Sequence, residues 1–230
     1  MDVNTWWITD EVRYSWKHVH SEQRIRMPRV KGMPAFEAAD AALAWKAGVA
    51  KAQGTVAEAV NAKKKVGLMV SPMLTCEDAY ALASWVLALD PKAELGVGPV
   101  PFKGEDRTFK GGFTMYAEKA PNARGVRRVL EALAAGRTVH DAASFEKALS
   151  AGSIGTAVIT GNYPSDWVGN GLRDALARVP FLLIDTLPTA LTGMADAVLP
   201  GATWVEKAGT FENAKGRLQG FEREIGRAHV

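Results

Sequence analysis

Apolar residues follow two patterns along this chain: short unbroken runs, and longer stretches where they recur every three or four positions. Val66 to Val70, Thr156 to Thr160, Phe181 to Ile184 and Ala197 to Leu199 are runs bounded by turn formers, and each predicts a buried strand. Ala35 to Ala62 predicts one long helix or two, with Phe36, Ala39, Leu43, Ala47 and Ala50 in helical register and Gly48 and Gly54 as weak points. Thr75 opens a further helix, with Asp78 three residues on in the capping-box position. Tyr80, Leu82, Trp85, Val86 and Leu89 supply its apolar stripe, and Asp90-Pro91 stops it. Helices are also predicted over Asn122 to Leu133, Ala143 to Ala151 and Leu172 to Val179. Residues 95–125 are rich in Gly, Pro and Lys without a period, and predict an extended, partly irregular connection.

Strands alternating with helices predict an α/β fold of Rossmann-like layers, a parallel sheet with helices on both faces. Ligands in such sheets sit beyond the carboxyl ends of the strands. Those ends are Ser71-Pro72, Gly161-Asn162 and Asp185-Thr186. Residues 1–34 differ in character. They hold Trp6, Trp7, Tyr14 and Trp16 among many charges, and predict an extended segment that docks across a surface. The expected division is therefore a docking segment, 1–34, and an α/β domain, 35–230.

Composition narrows the chemistry. Hydrophobic residues make up 47% and charged residues 23%, as in an ordinary globular protein, and the net charge is +3. Lys63-Lys64-Lys65 reads as a solvated face, since no aromatic platform for nucleic acid accompanies it. The stretch Tyr80 to Leu89 is too short to cross a bilayer, and the first residues lack a secretory pattern, so a cytoplasmic location is expected. The 230 residues include one cysteine, Cys76, which excludes an intrachain disulfide and any iron-sulfur cluster drawing several thiolates from this chain.

No catalytic residue and no metal ligand is nominated. His18 and His20 form an HxH without a partner at ligand spacing, and read as surface or packing residues. Cys76 stands in the first turn of a predicted helix, which lowers a thiol pKa, but Glu77 and Asp78 oppose this, and it reads as half-buried and inert. Asp10 and Glu11 are adjacent and unsuited to acid-base pairing. Asp185 ends a strand, where it serves either as a catalytic acid or as the cap of the next turn. GxSxG, P-loop and GxGxxG motifs do not occur.

Three stretches carry a resemblance. Trp7 to Tyr14, followed by Ser21 to Ile25, resembles the segment after the cluster-binding cysteines of molybdopterin oxidoreductases. Ala195-Asp196-Ala197-Val198-Leu199-Pro200-Gly201-Ala202 is similar to that family's ADVVLPGA stretch, and Glu206 to Gln219 to its EKDGTFTNTEGRVQ signature. Gly161-Asn162-Tyr163-Pro164 falls where the family has a glycine-asparagine-proline turn. Within the family, the chain looks most like the large iron-sulfur subunit of NADH-quinone oxidoreductase.

The resemblance implies a scaffold subunit or fragment of a respiratory complex, peripheral to the inner membrane through that complex, beside iron-sulfur partner subunits that hold the cluster. The alternative it implies is a molybdopterin-guanine-dinucleotide-binding part of a molybdenum oxidoreductase. The cofactor-binding positions it implies are Gly161, Asn162, Asp185, Thr189, Gly209, Thr210, Asn213, Arg217 and Gln219. Read from the residues alone, the last five either cradle a pyrophosphate and a guanine or form a turn whose polar groups satisfy one another. Thr189-Ala190-Leu191 departs from the family's TET, so two polar side chains are missing from one implied loop.

Overall fold

The computed structural model describes residues 13–224. After a 3₁₀ turn, Ser15–His20, come β1 (Arg29–Val30), a second 3₁₀ turn (Ala38–Asp40), α1 (Ala41–Asn61), β2 (Val66–Val70), α2 (Cys76–Leu89) and β3 (Glu94–Val97). Then follow β4 (Arg107–Thr108), β5 (Thr114–Met115), α3 (Ala123–Leu133), α4 (Ala142–Ser150), β6 (Thr156–Thr160), α5 (Asn170–Leu176), β7 (Phe181–Asp185) and β8 (Ala197–Pro200). A 3₁₀ turn at Trp204–Glu206 leads into the hairpin β9 (Gly209–Glu212) and β10 (Leu218–Phe221).

Six strands form the central sheet in the order β1-β8-β7-β6-β2-β3. Every pair from β8 to β3 is parallel, and β1 is antiparallel to β8. Every residue of β2 and β6 is buried, which is why these strands appear in the sequence as solid runs rather than alternations. Alternate side chains feed two cores. Leu68 and Val70 pack with Val56, Val86 and Leu130 of α1, α2 and α3, while Met69 and Ile159 pack with Phe145, Leu149, Leu172 and Leu176 of α4 and α5.

The capping box at α2 forms as expected: Thr75 Oγ1 accepts from Asp78 N at 3.1 Å, and Asp78 Oδ2 accepts from Thr75 N at 3.1 Å. The buried faces of the helices differ from the expected stripes. In α2 the fully buried line is Ala79, Ala83 and Val86, whereas Tyr80 is exposed. In α1 it is Ala44, Gly48, Ala52, Val56 and Ala59, and Leu43 faces out. An alanine-rich helix offers several apolar lines, and closeness of approach selects among them. A Cβ at Gly48 would lie 2.9 Å from both Leu199 and Pro28, so the glycine lets α1 settle against β8 and the chain before β1.

Part of the stretch expected to be irregular is regular. Leu95 to Val97 of β3 lie within it, with Leu95 and Val97 buried and intervening Gly96 close against Phe145. Of the segment 1–34, expected to dock across a surface, residues 13–34 run along the sheet of the α/β domain, and Trp6 and Trp7 lie outside the described residues. Val19 and Ile25 are buried, Ile25 N donates to Thr186 O at 2.9 Å, and β1 closes the β8 edge. Among the described residues, no helix is long and apolar enough to cross a membrane.

Candidate functional site

Because β2, β3, β6, β7 and β8 run parallel, their carboxyl ends share one side of the sheet. In chain order the first parallel strand, β2, lies between the second, β3, and the third, β6. The direction of sheet growth reverses between β2 and β6, and ligands of such sheets occupy the crevice outside that reversal. Here the crevice holds Tyr163. Asn162 adopts a left-handed backbone with φ of 70°, and the chain turns so that Tyr163 is buried. Its hydroxyl donates to Pro99 O at 2.7 Å, beyond the end of β3, and its ring stacks on Trp167 with centroids 5.0 Å apart.

Asp185, at the end of β7, is 1% exposed. Its Oδ1 accepts from Asn162 N and Thr186 N, both at 2.7 Å, and its Oδ2 accepts from the Trp167 indole at 3.1 Å. Burial pushes the carboxyl up from its ordinary range, and these N–H donors pull the other way. The geometry makes Asp185 the cap of the turns after β6 and β7. Gly161 leaves room for this, since a Cβ there would fall 2.0 Å from Asp185 Oδ2.

Beside this knot lies a cleft of about 440 Å³. Tyr163 to Trp167 and Leu187 to Thr189 form one wall, and Lys17, His18, Ser21 and Gln23 of the N-terminal stretch form the other. Arg24 clamps that stretch in place. Its guanidinium donates to Val19 O at 2.9 Å and to Glu206 Oε2 at 2.9 Å, and the same Glu206 oxygen accepts from Thr203 N and Oγ1 at 2.8 Å.

Of the implied cofactor-binding positions, Gly161, Asn162, Asp185 and Thr189 gather around this cleft and its floor. Gly209, Thr210, Asn213, Arg217 and Gln219 lie on the β9–β10 hairpin, which is packed against α2 and α3. Glu77 accepts from Thr210 N at 2.9 Å and from Thr210 Oγ1 at 2.7 Å. Asn213 Oδ1 accepts from Lys215 N and Arg217 N, and Asn213 Nδ2 donates to Gln219 Oε1 at 3.0 Å. These polar groups satisfy one another as a structural hairpin does.

The hairpin is held from below by Asn122, which is fully buried. Its Oδ1 accepts from Glu212 N at 2.7 Å, and its Nδ2 donates to Leu74 O at 2.8 Å and lies 3.6 Å from Cys76 Sγ. Burial pushes the Cys76 thiol up from its ordinary pKa, as expected for an inert cysteine. Among the described residues, no three of His, Cys, Asp and Glu are gathered as a metal ion requires.

A pterin dinucleotide, which the resemblance implies, needs unspent donors for its pyrophosphate and an unspent acceptor for its guanine. The residues present meet this only in part. Asp185, Thr210 and Asn213 bond within the chain and Tyr163 fills the reversal crevice, whereas Asn162 Oδ1 is buried without a hydrogen-bond partner and the Arg217 side chain is exposed. The residues that sequence reasoning missed are Arg24, Tyr163, Trp167 and Glu206. Tyr163 was legible as an additional residue within the glycine-asparagine-proline turn. Arg24 and Glu206 stand 182 positions apart, and nothing local marks them as partners.

No curated protein matches the chain. Residues 179–226, which hold β7, β8 and the hairpin, match the family model of molybdopterin oxidoreductases.

Proposed function

We propose that this chain is a scaffold component of an NADH-quinone oxidoreductase-type respiratory assembly, seated beside iron-sulfur subunits that carry the electrons. The family match over residues 179–226 supports an oxidoreductase-type role. The observation that supports the scaffold reading is that three of the implied contact groups, Asp185, Thr210 and Asn213, hold the chain's own loops. A chain with a single cysteine, itself packed against Asn122, supplies no thiolate set for a cluster. Its contribution is a rigid sheet with the N-terminal stretch clamped along it.

Affinity purification of the tagged chain from its native cells tests the proposal. Co-purification of a cysteine-rich, iron-containing partner in fixed ratio is the expected result. A guanine-containing pterin released on denaturation, or stoichiometric iron in the isolated chain, overturns it.

A further inference from the structure

We propose that Tyr163 is a built-in occupant of the crevice between β2 and β6, standing where a planar, hydrogen-bonding ligand ring would sit in a sheet of this topology. The inference rests on the geometry of the crevice and stands apart from the partner assignment above.

The crevice is defined by strand order, since the sheet grows outward in both directions from the β2–β6 pair. Tyr163 leaves the end of β6, yet its hydroxyl reaches Pro99 O past the end of β3, so the ring crosses over the end of β2. The strand ends leave room for it. A Cβ at Gly98 would lie 3.0 Å from the Tyr163 hydroxyl and 3.4 Å from the Ser71 Cα, so glycine keeps the site wide enough for the phenol. Trp167 stacks on the ring with planes 22° apart, as an aromatic wall stacks on a flat ligand. The ring therefore has a hydrogen-bond acceptor at its tip, a stacking partner on one face and almost no contact with solvent, being 3% exposed. Those are the features of a seated ligand, supplied here by a residue of the chain.

Removing the ring should leave a shaped cavity with an unpaired acceptor, Pro99 O, that accepts the ring's small-molecule equivalent in place of water. The test uses Tyr163→Ala and the milder Tyr163→Val in the full chain, with 4-methylphenol as the probe. Both variants are expected to melt below the wild type. Millimolar 4-methylphenol is expected to raise their melting temperatures by several degrees while leaving the wild type and Tyr163→Phe unmoved, because only the truncated variants have an empty place. If Tyr163→Ala does not fold, Tyr163→Val carries the same readout. Equal response of the truncated variants and the wild type to 4-methylphenol overturns the proposal, as does a crystal structure of a truncated variant with the probe bound elsewhere.

Discussion

Arg24 and Glu206 form a buried ion pair at 2.9 Å, with side chains 5% and 2% exposed, and so join the N-terminal stretch to the start of the C-terminal signature. Two charges out of water are stable together only because other groups complete their hydrogen bonding. Val19 O, Gly201 O and Thr203 supply most of it here, and Arg24 Nε stays buried without a partner.

Breaking the pair on one side strands the other charge. Arg24→Ala and Glu206→Ala are each expected to lower stability by about 3–5 kcal/mol. The double variant should lose less than the sum, since neither charge is then left alone. Urea denaturation of the four proteins completes the cycle, and strict additivity would argue against the coupling.

Gly161→Ala is expected to destabilise by about 1–3 kcal/mol or more, because its Cβ would fall 2.0 Å from a carboxylate oxygen that cannot retreat without releasing Asn162 N, Thr186 N or Trp167. Gly193→Ala is the control, since no atom lies within 4 Å of its Cβ position. Indole fluorescence should report the disturbance at Trp167 in the first variant alone.

Glu94 accepts from Lys65 and lies 3.2 Å from His140 Nε2. Burial works against its charge, but these partners outweigh burial and hold the carboxyl below its ordinary 4.5. A depressed folded-state pKa contributes stability that is present above the unfolded value and lost as pH falls through the folded one. The melting-temperature gap between wild type and Glu94→Gln should therefore narrow as pH drops from about 6 to about 3. A gap independent of pH would remove Glu94 from this account.

Cys76 should react slowly with a thiol-specific disulfide reagent. Burial raises its pKa, and Asn122 and Gly125 crowd its sulfur. The native chain is expected to react at least about tenfold more slowly than the chain in denaturant, where the thiol has its ordinary reactivity. Equal rates would show the thiol to be open. Asn122→Ala, which removes a neighbour of the sulfur and also frees the β9 backbone, should speed the reaction.

Much of the architecture was legible because its strands are covered on both faces, so β2, β6, β7 and β8 stand out as unbroken apolar runs. β3 did not stand out: Glu94 and Gly96 interrupt its buried Leu95 and Val97, and four residues are too few for a period. The Thr75–Asp78 box was legible because both partners lie within one turn of helix. The site was legible only in part. Asp185 and Asn162 announce themselves at strand ends, but the sequence does not show whether their hydrogen bonds go to a ligand or to the chain. That depends on where backbone N–H groups from separate loops arrive, and Asp185 draws on the loops after both β6 and β7.

β1 contributes only Arg29 and Val30, yet it runs opposite to the strand it joins. It therefore satisfies the unpaired backbone groups along the flank of β8, and its brevity offers little template to an incoming polypeptide. At the far flank, His140 makes a single bridge to Gly96 and serves as a similar guard. Both borders of the sheet thus present only short lengths of backbone to a neighbouring molecule, which limits strand exchange at the margins of a chain with so many solid apolar runs.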